Sequence, residues 1–179
     1  MNAIGTKLKD AYLITTDIFC DNRGSFTESF NLCEIEKIIG PYKFVQDCHS
    51  VSVKNVVRGL HYQIEHAQGK IVRCLVGEIY DVIVDLRKSS PTFGQWTAYK
   101  LSPGELQLWV PPGFAHGFKS LTERVEVLYK VTDYQYKEHE RTLMWNDPDL
   151  NINWGEKFDP IMSEKDMKGL SFEECKKYD

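Results

Sequence analysis

The sequence predicts an all-β protein, a sandwich or a barrel, on three observations. Short apolar segments are separated by Gly, Pro, Asn, Asp and Ser, the spacing of many-stranded β folds. Within the segments side chains alternate with period two. Tyr80, Val82, Val84 and Leu86 share one face, opposite Ile79, Asp81, Ile83 and Asp85. Val125, Val127, Tyr129 and Val131 likewise oppose Glu126, Leu128, Lys130 and Thr132. Helix signals are few. A small barrel of this kind can hold one small ligand inside.

Taken in order, residues 1–7 show no charged region followed by an apolar run, so no signal peptide is expected. Asp21-Asn22-Arg23-Gly24 is a polar turn from which Arg23 and Glu28 can reach a ligand. Asn31-Leu32-Cys33-Glu34 resembles a capping box and Gly40-Pro41 is a stop, which predicts a helix of about nine residues between them. Phe44-Val45-Gln46-Asp47 sets polar residues directly after apolar ones, as at a strand end on a pocket rim. Residues 70–76, the pair Gly77-Glu78 and residues 79–86 read as a β-hairpin. Ser89-Ser90-Pro91 and Ser102-Pro103-Gly104 break further strands, and Pro111-Pro112-Gly113 interrupts another before residues 114–120. Ser163 and Ser171 are each candidate caps of a short helix. Without repeat or low-complexity linker, 179 residues predict one domain over 1–179, with length for a sizeable core.

Composition narrows the function classes. The net charge is −4 and the pI about 5.8, which argues against a nucleic-acid partner. No apolar run approaches the roughly 20 residues that span a bilayer, so no membrane partner is expected. The five cysteines, Cys20, Cys33, Cys48, Cys74 and Cys175, are scattered and odd in number, which predicts reduced thiols and a cytoplasmic location. G-x-G-x-x-G, G-x-x-x-x-G-K-[ST] and G-x-S-x-G are all absent, so NAD, ATP and an activated serine have no support.

The chemistry gathers around Arg58-Gly59-Leu60-His61-Tyr62-Gln63 and Gly69-Lys70-Ile71-Val72-Arg73, which place a guanidinium, an imidazole and an ammonium on neighbouring β segments. Burying two cations beside a histidine is costly without an anion, and a ligand phosphate would supply one. Histidine can act as a base near neutral pH, and cations can stabilise phosphate or a developing enolate. A lone strand histidine is also commonly structural. Tyr129, on the valine face of its strand, reads equally as a core tyrosine or as a general acid; Lys130 points the other way, towards solvent. His116, after Pro111-Pro112-Gly113, resembles the histidine of metal-binding cupins. Their first motif needs H-x-H and a glutamate, however, and His61-Tyr62-Gln63 lacks them, so no metal is expected. His66 and His139 lie in polar segments and read as surface residues. Asp166, at a helix start, reads locally as a cap or dipole effect.

Together these runs resemble the dTDP-4-dehydrorhamnose 3,5-epimerase family. The resemblance extends from about Leu13 to Lys168. Besides those quoted, the matching runs include Gln68-Gly69-Lys70, Asp85-Leu86-Arg87-Lys88-Ser89, Trp109-Val110-Pro111, Leu128-Tyr129-Lys130, Trp145-Asn146-Asp147-Pro148 and Ser163-Glu164-Lys165-Asp166. The chain departs from the family's usual residues at Cys48, where Asn is frequent. It departs again at Asp133-Tyr134-Gln135 and in the thinner aromatic run Ser25-Phe26-Thr27.

The resemblance implies a cupin-like jelly-roll barrel with a few short flanking helices. It implies a cofactor-independent, metal-free enzyme and a homodimer with exchanged N-terminal strands. The substrate would be a nucleoside-diphosphate 4-keto sugar, inverted at the carbons flanking the ketone. His61 would be the base, Asp166 its partner, Tyr129 the acid on the opposite face, and Lys70 the enolate stabiliser. Arg58 would grip the diphosphate, with Arg23, Glu28, Gln46, Phe26 and His116 completing the substrate-binding set. The rival readings are inversion at C3 alone, another nucleotide such as a GDP-linked sugar, a non-catalytic sugar-binding module, and a metal-dependent cupin.

Overall fold

The computed structural model of the chain describes residues 1–104 and 106–179. Two antiparallel sheets face each other as a cupin-like jelly roll. The first runs, in spatial order, β1 (Asn2–Gly5), β2 (Tyr12–Thr15), β10 (Leu106–Val110), β7 (Lys70–Val76), β12 (Arg124–Val131) and β5 (Gln46–Val53). The second runs β13 (Glu140–Thr142), β6 (Val57–Gln63), β11 (Phe114–Ser120), β8 (Ile79–Asp85) and β9 (Trp96–Leu101). A separate pair, β3 (Phe19–Asp21) and β4 (Gly24–Phe26), joins only itself. Among the described residues no helix is long and apolar enough to cross a membrane.

The expected alternation is present and explains the layering. Val125 and Val127 of β12 meet Ile79 and Ile83 of β8 in a core between the sheets, with Val72, Leu108 and Phe118. The other face of β8, Val82 and Val84, packs with Leu86 under the C-terminal segment, against Leu143, Leu150, Ile152 and Trp154. A third cluster seats helix α1 (Leu32–Ile39) on the outer side of the first sheet, through Ile35 against Ile14, Ile71 and Trp109. Asn31 caps α1 by accepting the Cys33 N–H, and Gly40 ends it, as the sequence predicts. Ser163 caps α2 (Glu164–Met167), accepting the Asp166 N–H. Ser171 caps only a turn, accepting the Glu174 N–H at 3.3 Å, so the second C-terminal helix does not form.

The hairpin expected over residues 70–86 does not form either. β7 pairs with β10 and β12, whereas β8 pairs with β11 and β9 in the opposite sheet. The two-residue link is a step between layers. Gly77 (φ +75°) makes it, because a Cβ there would sit 2.2 Å from the Arg124 carbonyl oxygen. Both strands are apolar on the inward side, and facing each other across the core buries more of that surface than lying edge to edge.

Candidate active site

β6 carries the two residues on which the site turns. Arg58 and His61 are three apart, so a regular strand would send them to opposite faces. Pairing with β11 aligns His61 with His116 but Arg58 with Phe118, which inserts one extra residue into β6. This bulge lets both residues line the same cavity, with Arg58 at its exposed side. It requires close backbones: a Cβ on Gly59 would lie 2.7 Å from the Gly117 Cα, and one on Gly117 would lie 2.4 Å from the Arg58 carbonyl oxygen.

Two adjoining pockets between the sheets share His61, Lys70, Tyr129, Gln135 and Glu140. Gln46, Cys48, Gln63 and Gln68 extend one side, and Ser50, Arg58, His116 and Phe118 the other. Six of the predicted residues, His61, Lys70, Tyr129, Gln46, Arg58 and His116, thus line these pockets, and a seventh, Asp166, stands behind them, its Oδ1 2.5 Å from His61 Nε2. Asp166 is buried, and its Oδ2 accepts the Gly59 N–H at 3.4 Å. Burial alone would raise its pKa, but the hydrogen bonds and the charge of His61 outweigh burial and hold it below the usual range. Its ionised form therefore contributes stability above the ordinary carboxylate pKa, and that contribution is lost as pH falls through the lowered one.

Lys70 opens β7 and is 7% exposed. Burial pushes its pKa down to about 8, against Asp81 and Glu140, which raise it. Among the described residues no hydrogen bond or ion pair reaches its ammonium. Tyr129 stands opposite Cys48 in the β12–β5 ladder. Burial first, and then Cys48, push its phenol up to about 12, so it keeps its proton at neutral pH. Lys130 faces outward as expected, but pairs with Asp47 at 2.9 Å. Burial lowers the His116 pKa, which keeps the ring neutral although Asp81 opposes the shift; its Nε2 lies 2.8 Å from Asp81 Oδ1.

Arg23, Phe26 and Glu28 stand apart from these linings. Arg23 and Phe26 belong to the β3–β4 hairpin, where Arg23 pairs with Asp21 and Phe26 is 69% exposed. Glu28 accepts from the Asn31 side chain at 3.2 Å. Sequence reasoning passed over Ser50, Asp81 and Glu140. Asp81 carried a signal, an acid in the middle of a strand between the aromatic Tyr80 and the aliphatic Val82, Ile83 and Val84. Glu140 is drawn in by Lys165 of α2, 2.6 Å away, and has no local signature. Gln63 is buried, and its amide N–H groups are spent on the His66 and Tyr134 carbonyls. His66 stacks on Tyr136 with ring centroids 4.2 Å apart and meets Asp133 at 3.1 Å, so it is a partnered residue.

The model of the dTDP-4-dehydrorhamnose 3,5-epimerase family matches residues 5–174. The chain belongs to that family. Within it, the dTDP-4-dehydrorhamnose 3,5-epimerase of Pseudomonas aeruginosa is 51% identical over 174 residues, 96% of each chain. The solved dTDP-6-deoxy-D-glucose-3,5-epimerase of Legionella pneumophila, in complex with dTDP-4-keto-L-rhamnose, superposes with a TM-score of 0.94. It is 42% identical, with 98% of this chain and 94% of that one covered. A 3'-monoepimerase from Streptomyces bikiniensis, in complex with dTDP-quinovose, has a TM-score of 0.88 at 28% identity, covering 93% of this chain and 85% of its own. The solved 3,5-epimerase and the 3'-monoepimerase thus share this fold, and the chain is an epimerase.

Proposed function

We propose that this chain inverts C3 and C5 of dTDP-4-keto-6-deoxyglucose, without cofactor or metal. One observation carries the mechanism: an imidazole backed by a buried carboxylate, a phenol that keeps its proton and an ammonium without a partner among the described residues line one cavity. His61 takes the proton from the carbon beside the ketone, and the electron pair moves onto the C4 oxygen. Lys70 stabilises the enolate as it forms. Asp166 orients the ring and stabilises the imidazolium. Tyr129 then delivers its proton to the opposite face, inverting the carbon, and the imidazolium and phenolate reset through solvent. Repetition at the second flanking carbon completes the product. Arg58, held by Ser52 Oγ at 3.0 Å and the Val51 carbonyl at 3.2 Å, takes the diphosphate. Gln46 and His116 complete the pocket.

The enzyme acts as one domain over residues 1–179 and as a homodimer with exchanged N-terminal strands. The β3–β4 hairpin supports this reading, since it projects Phe19 (63% exposed) and Phe26 with Arg23. Lodged in a second copy's cavity, Arg23, Phe26 and Glu28 would meet the nucleotide there. A cytoplasmic location is supported by the five free cysteines.

The test is mass spectrometry of the substrate incubated with the protein in D2O. Deuterium appears at both C3 and C5, and His61→Ala lowers its entry by about 10²–10⁴-fold while the chain stays folded. Deuterium at C3 alone would place the chain with the 3'-monoepimerases. No deuterium would leave a sugar-binding module.

A further inference from the structure

Gln46, Cys48, Ser50 and Ser52 form the cavity-facing row of β5, while Asp47, His49, Val51 and Val53 turn outward. Gln46 Nε2 donates to Cys48 Sγ at 3.2 Å, and Ser52 Oγ accepts from Arg58 Nε. Ser50 differs. It lines the cavity with Arg58, His61, Lys70, His116 and Tyr129, yet its Oγ is buried and has no hydrogen-bond partner among the described residues. Buried hydroxyls are nearly always satisfied, because desolvating one without return is costly. Alanine would fill this place without that cost. The hydroxyl is explained if its partner arrives with the ligand.

Position says which ligand atom. Along β5, Cys48 stands opposite Tyr129, and Ser52 holds Arg58. Ser50 lies between them, about 7 Å along the strand from each. With the reacting carbons at Tyr129 and the diphosphate at Arg58, the part of the hexose between is C1 and C2. C1 carries the phosphate oxygen, which leaves the hydroxyl on C2. We infer that Ser50 is a specificity-determining residue whose hydroxyl, turned into the cavity by one χ1 step, hydrogen-bonds the substrate's C2 hydroxyl. The inference rests on the reading of the site given above. Since nothing holds the hydroxyl in the free protein, the rotamer step breaks no internal bond.

The experiment compares dTDP-4-keto-6-deoxyglucose with its 2-deoxy analogue, using kcat/KM for deuterium entry, in the wild type and in Ser50→Ala. The wild type favours the 2-hydroxy substrate by about five- to tenfold, the worth of one hydrogen bond. Ser50→Ala erases the preference by losing rate on that substrate alone. The free variant melts at the wild-type temperature or above, because an unsatisfied group has been removed. Equal losses on both substrates, an unchanged preference, or a lower melting temperature would overturn the inference. Absence of deuterium entry in the wild type would instead overturn the proposed reaction, so the two failures are distinguishable.

Discussion

In the proposed mechanism Lys70 couples burial to catalysis. Its ammonium is held from solvent, so the neutral amine is favoured and the pKa falls to about 8. The groups that act on it are Asp81, Glu140 and Cys48, which raise the pKa, and Lys165, which lowers it; His116 also feels its charge. An enolate needs the charged form. Activity therefore declines as pH rises through about 8, well below the Tyr129 transition at about 12. Between about 8 and the unfolded value of 10.5 the unfolded chain binds more protons, so this residue makes stability rise with pH while activity falls. Rates of deuterium entry measured from pH 6 to 10 check this. Lys70→Arg, whose guanidinium does not titrate there, should lose the alkaline limb; a limb unchanged in that variant assigns it to another group.

At the scale of elements, the site depends on two short irregularities. One is the bulge that brings Arg58 and His61 to one cavity. The other is α2, four residues long, capped by Ser163 and tied to β13 by the Lys165–Glu140 pair, which delivers Asp166 to a histidine 105 residues away. The bulge is the stiffer of the two. In Gly117→Ala the new Cβ would meet the Arg58 carbonyl oxygen at 2.4 Å and Leu60 Cδ2 at 2.9 Å. Backbone there cannot yield without moving β6. The expected cost is about 1–3 kcal/mol, a fall of several degrees in melting temperature for a chain of this size, with loss of activity beyond the loss of folded protein. Unchanged melting and activity would show that β6 and β11 separate more easily than their packing indicates.

For the whole molecule, the open question is what meets the surface left apolar. β5 is an edge strand carrying exposed Val51 (55%) and Val53 (59%). Exposed edges invite pairing, and a second copy of the chain is the proposed partner. If each hairpin completes the other copy's cavity, mixing His61→Ala with Arg23→Ala, each impaired alone, restores activity. The mixed dimer holds one site with both residues intact, so an equal mixture recovers about a quarter of the wild-type rate. Hairpins that serve their own cavity give no recovery, and light scattering reports whether a dimer is present at all.

Local order in the chain was enough for the strand alternation, the caps at Asn31 and Ser163, and the inward face of Tyr129, since each depends on neighbours a few residues away. The resemblance supplied Asp166, whose local context reads only as a helix start. What distinguishes a hairpin from a step between layers at Gly77 is the competition of two whole sheets for the same apolar surface. That competition does not exist until both sheets do. The same holds for the place of Arg58 at the cavity, the orphaned Ser50 hydroxyl and the buried Asp81. Each is defined by atoms far along the chain, because burial and hydrogen-bond satisfaction are properties of the assembled fold.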